Sequence, residues 1–238
     1  MPVDIPTIVA TSMGFRRRGA AWTPGPVFPF LFELSGAAAS PRLCFIATAG
    51  GDQASTIDRF YQAFSGNEIQ ASHLALFDKP NVEDVRAHLL AQDVIWVDRG
   101  SLVNLVAVWR AHGLDEALRE SWEAGVVLAG ESAGSLCWHE AGTTDSFGPE
   151  VRPAAGLGFL PYGNAVHYEH RREDFQSRVA AGELPPVSFA TDAGTGLVYQ
   201  NTELVEVISD RKNARAYRIE RQADGGVAET ALEPRRLR

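Results

Sequence analysis

Cysteine is scarce: the 238 residues hold only Cys44 and Cys137. Both lie in apolar stretches and read as buried thiols, so neither a disulfide framework nor a cysteine-built metal centre organises the chain. Long apolar runs are missing too, and none approaches the roughly 18 residues that span a bilayer. The N-terminus carries Asp4 and no apolar signal segment, so the expectation is a soluble cytoplasmic protein. Positive charge is in deficit. The net charge is −8, from 22 Lys and Arg against 30 Asp and Glu. That excludes the broad basic footprint of a nucleic-acid or anionic-membrane binder and leaves room for a small basic pocket. No internal repeat, low-complexity tract or long linker divides the chain. Residues 1–238 therefore read as one domain, and a hydrophobic fraction of 45% is enough for a sizeable core.

The pattern of elements is mostly strand alternating with helix. Short apolar runs at 7–11, 43–47, 73–77, 94–97 and 126–129 predict strands. Residues 53–64, 81–92, 102–112 and 114–124 predict helices between them, with Asn81 as a cap. This is the signature of a mostly parallel, doubly wound sheet with helices on both faces. Right-handed crossovers then bring the loops after Ala47, Val97 and Ala129 to one edge. Residues 12–40 read as an irregular surface loop with solvated Arg16, Arg17 and Arg18. The alternative is a substrate-facing lid, since long loops are often functional. Residues 139–163, rich in Gly, Pro and Thr, read as loops and turns. A strand over 164–168, a helix over 173–181 and strands over 187–191, 196–200, 204–208 and 214–219 predict an antiparallel C-terminal extension.

Chemistry concentrates at Gly125 to Trp138, G-V-V-L-A-G-E-S-A-G-S-L-C-W. An apolar strand runs into G-x-S-x-G at Gly130–Gly134, and a helical turn follows. This is the context in which the motif becomes a nucleophile elbow with Ser132 at its apex. Small neighbours suit a strained apex, and the first amides of the helix point at any anion that forms there. The plain alternative is a Gly-rich strand–helix turn with a spectator serine.

A serine nucleophile needs a base, and the base needs an orienting acid. Six histidines are available. His88 and His112 read as solvated. His73 opens a strand far along the sheet, and His139 points away from the apex if a helix runs on from the elbow. His167 sits at a strand end in the second half and is preferred as base; His170, in a charged cluster, is the spectator. For the acid, Asp145 and Asp192 both remain open.

The order Ser132, Asp145, His167, with A-G-E-S-A-G-S-L-C-W and G-L-G-F-L-P-Y-G-N-A-V-H-Y, resembles the peptidase E (α-aspartyl dipeptidase) and cyanophycinase family of serine peptidases. Segments 105–115 and 203–217 extend the likeness, so that it covers most of residues 40–220. It implies a flavodoxin-like or class I glutamine-amidotransferase-like α/β fold and neither metal nor other cofactor. It also implies Ser132 as nucleophile, His167 as base, Asp145 as the mapped acid, and short peptides with an N-terminal aspartate as substrates. The backbone amides of Gly100 and Ala133 would then hold the oxyanion. Arg99, Arg171 and Arg172 are candidate partners for the substrate carboxylate; their plain alternative is pairing with nearby acids. The sequence departs from the family at Asp98-Arg99-Gly100-Ser101, where a glycine-rich turn is usual. A carboxylate there opposes an oxyanion unless Arg99 offsets it. It departs again where Ala193 stands before Gly194 and the nearest acid is Asp192. These departures motivate a rival reading, a non-catalytic or repurposed member of the fold that binds a small peptide or amino acid. A flavodoxin-like nucleotide binder is a third reading, disfavoured because no G-x-x-x-x-G-K-[ST] loop occurs. A homodimer is kept open as the assembly.

Overall fold

The computed structural model describes residues 5–18, 21–37 and 39–238; Asp4 and the side chain of Arg18 lie outside the described set. The first half contains β1 (Thr7–Thr11), β2 (Arg16–Arg18), β3 (Ala21–Thr23), α1 (Val27–Leu34), β4 (Arg42–Ile46), α2 (Ala54–Phe64) and β5 (Gln70–Leu74). It continues with α3 (Val85–Leu90), β6 (Val94–Val97), α4 (Leu102–Ala111), α5 (Leu114–Glu123), β7 (Val127–Glu131) and α6 (Ala133–Leu136). The second half contains β8 (His139–Thr144), β9 (Arg152–Ala155), β10 (Leu160–Val166), α7 (Arg172–Ala181), β11 (Val187–Thr191) and β12 (Thr195–Gln200). It ends with β13 (Glu203–Ser209), β14 (Ala216–Arg221), β15 (Val227–Leu232) and β16 (Arg235–Arg236).

Among the described residues the central sheet has eight strands in the order β16-β13-β12-β1-β7-β6-β4-β5. The run from β1 to β5 is parallel, and β12 and β13 add antiparallel strands beyond β1. Successive residues of a strand face opposite sides, so a sheet covered on both faces needs continuous apolar strands. Ile8, Ile46, Ile95 and Leu128 pack under α4 and α5. Their neighbours Val9, Phe45, Trp96 and Val127 pack under α1 and α2. A second sheet, β15-β14-β11-β10-β8-β9, holds β10 parallel to both β8 and β11. Its own core includes Tyr168, Phe175 and Val179.

Four local expectations are corrected. Residues 12–40 are not one irregular loop: they form the β2–β3 hairpin and α1. Pro29 falls in the first turn of α1, where its missing N–H costs nothing. Phe28 anchors the helix, with its ring centroid 4.5 Å from Phe15 and 4.7 Å from Trp96. The Gly- and Thr-rich stretch after His139 forms β8, β9 and the start of β10, because pairing on both sides of β8 overrides its composition. The third strand of the parallel series ends at Leu74 rather than Phe77. Asn81 is not a helix cap; its Oδ1 accepts from Ala75 N–H at 2.8 Å, and Asp84 caps the shorter α3. No described helix is long and apolar enough to cross a membrane.

Candidate active site

β7 lies between β1 and β6, all three parallel, so the turn after β7 emerges at their shared carboxyl edge. Ser132 occupies that turn at φ 60°, ψ −111°, a strained conformation for a residue with a side chain. Its carbonyl accepts from the amides of Ser135 and Leu136, both at 2.9 Å, so α6 starts directly beneath it. The flanking glycines are steric requirements. A Cβ on Gly134 would overlap the carbonyl oxygen of Val97, and one on Gly130 would overlap that of Gly134. Ser132 itself is half-buried and open to solvent.

The end of β1 joins the serine to the histidine. The Ser132 N–H donates to Thr11 O at 3.1 Å. The His167 N–H donates to Ser12 Oγ at 3.4 Å, and Ser12 Oγ lies 2.7 Å from Thr191 Oγ1 at the end of β11. The last residue of β1 and the residue just after it therefore hold the backbones of Ser132 and His167. His167 has φ 56°, just past β10, which turns the chain out of the second sheet. Burial lowers its pKa and Arg171 adds to that effect; the charges of Glu169, Glu131 and Asp145 act in the opposite sense. The imidazole is therefore neutral at pH 7 and able to take a proton.

Beside the serine lies a buried ionic group. Arg17 donates to Glu131 Oε2 at 2.8 Å and to Asp98 Oδ1 at 2.5 Å. Arg99 donates to Glu131 Oε1 at 2.6 Å. Two cations thus face two carboxylates immediately next to the elbow. Burial, opposed by Arg17 and reinforced by Glu131, pushes Asp98 up to about 7. Burial also raises Glu131. Arg17 stacks on Trp22, 4.4 Å from the ring centroid, so the hairpin is clamped across the elbow. Two readings are corrected here. Arg17 is not a solvated loop residue, and the cation that offsets Asp98 is Arg17 rather than Arg99.

The remaining candidates divide into near and far. Gly100 has φ 148°, and a Cβ on it would overlap Ala49 O, so this turn is pressed against the loop after β4. Asp145 accepts from Arg171 at 3.1 Å and reaches His167 through charge. Asp192 accepts from Arg215 N–H at 3.2 Å and from the Tyr217 hydroxyl at 3.3 Å, which directs it toward β14. Arg172 donates to Glu229 at 2.8 Å and lies over the Tyr217 ring, on the second sheet's own surface. Among the described residues no hydrogen bond joins a carboxylate, or the Ser132 hydroxyl, to the His167 ring. Bonds of this kind are often long in free enzymes. His139 is fully buried, 3.0 Å from Ser135 O and 3.3 Å from the Tyr199 hydroxyl.

The model of peptidase family S51 matches residues 24–207. The chain belongs to peptidase family S51. It is a serine peptidase, and the resemblance to peptidase E carried by the elbow and histidine segments is borne out. The S51 chain is 40% identical over 194 residues to the uncharacterized peptidase YgaJ of Bacillus subtilis (strain 168), across 81% of this chain and 83% of that protein. A crystal structure of a peptidase from an acI-B1 Actinobacterium superposes with a TM-score of 0.68 at 17% identity, covering 97% of this chain and 95% of that one. A putative peptidase E protein from Listeria monocytogenes EGD-e gives 0.58 at 16% identity, covering 96% and 100%. These two place the S51 chain in a mixed α/β fold with a mostly parallel central sheet.

Sequence reasoning does not assign three residues of this S51 site. Ser12 could have been found as the residue after a strand next to the elbow strand. Glu131 stands inside the motif, but its acidic character carries no meaning until its partners are known. Arg17 is hidden in a triple-arginine run whose other described member, Arg16, is exposed.

Proposed function

We propose that this S51 peptidase is a dipeptidase with a preference for an N-terminal aspartate, acting through an acyl-enzyme on Ser132. The observation that carries the reading is the serine at a strained elbow, held by the last residue of β1, with His167 held by the residue just after it. Ser132 Oγ attacks the scissile carbonyl while His167 takes its proton. The proton then passes to the leaving amine as the C–N bond breaks. Water, deprotonated by the same histidine, releases the acyl group. The amides of Ala133 and Gly100 receive the oxyanion, the first because the opening amides of a helix have no partner within it. Asp145 supports the imidazolium by charge; Asp192, bonded toward β14, is set aside. Arg99 and Arg171 are the cations for an acidic substrate, and Arg172 is set aside because Glu229 and Tyr217 engage it.

The test combines a dipeptide library at neutral pH with a fluorophosphonate probe, which labels only an activated serine. Dipeptides beginning with aspartate are expected to turn over fastest. Ser132→Ala is expected to abolish turnover and labelling without loss of fold, and His167→Ala to lower the rate nearly as far. Wild-type turnover in Ser132→Ala would remove the nucleophile assignment.

A further inference from the structure

We propose that the hydrogen bond between Ser135 and Asn164 is a brace that sets the spacing of Ser132 and His167, making both braced residues positioning residues. The inference rests on the assignment of Ser132 and His167 above. Ser135 lies three residues after the nucleophile on α6, and Asn164 three residues before the histidine on β10. Ser135 Oγ donates to Asn164 Oδ1 at 3.0 Å. Asn164 Nδ2 donates to Phe189 O on β11 at 3.1 Å, which fixes the orientation of the amide. Ser135 O accepts from His139 Nδ1–H, which leaves His139 Nε2 to accept from the Tyr199 hydroxyl on β12. A polar chain thus runs from the central sheet, through α6, into the second sheet. Ser135, Asn164, His139 and Tyr199 are all fully buried.

The location gives this chain a role beyond packing. Replacing both members of a buried polar pair by apolar groups of similar shape is often close to neutral for stability. A hydrogen bond adds direction, so it selects one separation and one angle between the two elements. α6 carries the nucleophile and β10 carries the base. At Thr11 and Ser12 they are held by the backbones of the reactive residues themselves; the brace holds them again one helical turn away. Two separated points of attachment resist tilting, which one point does not. Proton transfer between Ser132 and His167 depends on geometry at this scale, where a displacement of about 1 Å costs about 100-fold in rate.

The experiment compares Ser135→Ala, Asn164→Leu and their double variant with wild type, with Ser132→Ala as the null enzyme. Leu89→Ala, a buried position on α3 outside the site, reports what lost core packing alone does. Ser135→Ala is expected to lower kcat by about 10- to 100-fold. KM should change less than twofold, fluorophosphonate labelling should slow by the same factor as kcat, and the pH profile should keep its shape. The double variant should be no slower than the slower single. Leu89→Ala should lose thermal stability with kcat within twofold of wild type. If Ser135→Ala does not fold, Asn164→Asp decides: it keeps the acceptor for Ser135 and should label at least fivefold faster than Asn164→Leu. The brace is overturned if Ser135→Ala keeps wild-type kcat, if its loss merely tracks thermal stability, or if Asn164→Asp and Asn164→Leu label alike. Should Ser132→Ala be inactive in the same series, that failure belongs to the brace alone; should Ser132→Ala remain active, both readings fall.

Discussion

Glu131 stands directly before Ser132, and its carboxylate is shared between Arg17 and Arg99. Arg17 is largely enclosed, but the Arg99 side chain is 51% exposed and gives Glu131 only one of its nitrogens. Among the described residues its other nitrogens make no hydrogen bond, which is what the proposed contact with a substrate carboxylate needs. Replacing Arg99 by Gln keeps length and removes charge. Acidic dipeptides should then lose about 1.5–3 kcal/mol of binding, the scale of a charged hydrogen bond, and neutral ones little. Inhibition constants for paired acidic and neutral product analogues measure the difference, and equal small losses would transfer the role to Arg171. The strand–turn–helix around Ser132 is legible in the sequence because G-x-S-x-G is local and its context is contiguous. It cannot identify the function of Glu131, whose partner Arg17 lies 114 residues away. His167 is intermediate: a histidine at a strand end is visible, while its attachment to Ser12 is a property of the fold.

The elbow works as a unit of β7, α6 and β6, and its tolerance is set by Gly134. A methyl group there meets backbone at Val97 rather than a side chain that could move. Gly134→Ala should therefore push α6 away from β6, at a cost of about 1–3 kcal/mol, and lower turnover by more than that stability loss explains. Gly50→Ala is the useful contrast, since its new Cβ would meet only Arg99 O at 3.8 Å. Chemical denaturation and kcat on the same preparations separate the two effects. At this scale β1, β4, β6 and the start of β7 are legible, because each is a short apolar run between clear breaks, whereas β5, Gln-Ala-Ser-His-Leu, is not and its expected bounds are displaced. β8, β9 and α1 are not legible either. Gly, Thr and Pro in those segments are turn-forming by local preference, and partners distant in sequence decide their state. β15 and β16 were missed because half-exposed edge strands carry little apolar signal.

Across the whole molecule, the fully buried His139 links stability to pH. Burial pulls its pKa down to about 3, against an ordinary value of 6.5. A depressed folded-state value means that stability is intact above pH 6.5 and falls as the pH drops toward 3. A shift of this size corresponds to on the order of 4–5 kcal/mol when complete. Urea midpoints measured from pH 7 to pH 4 should decline in wild type and decline less in His139→Gln, which keeps a donor for Ser135 O. Equal slopes would show that other groups govern acid unfolding. The same molecule has its first strand in the middle: β1 pairs with β7 on one side and β12 on the other. Thr11 at the end of β1 and Ser12 just after it hold the backbones of Ser132 and His167, and Ser12 is itself fixed by Thr195 O and the Gly194 N–H. The backbone around Ser132 is thus tied to residues 11 and 12 on one side of it in sequence and, through Ser12, to residues 194 and 195 on the other, so a cut anywhere between these segments would separate parts that hold one another in register.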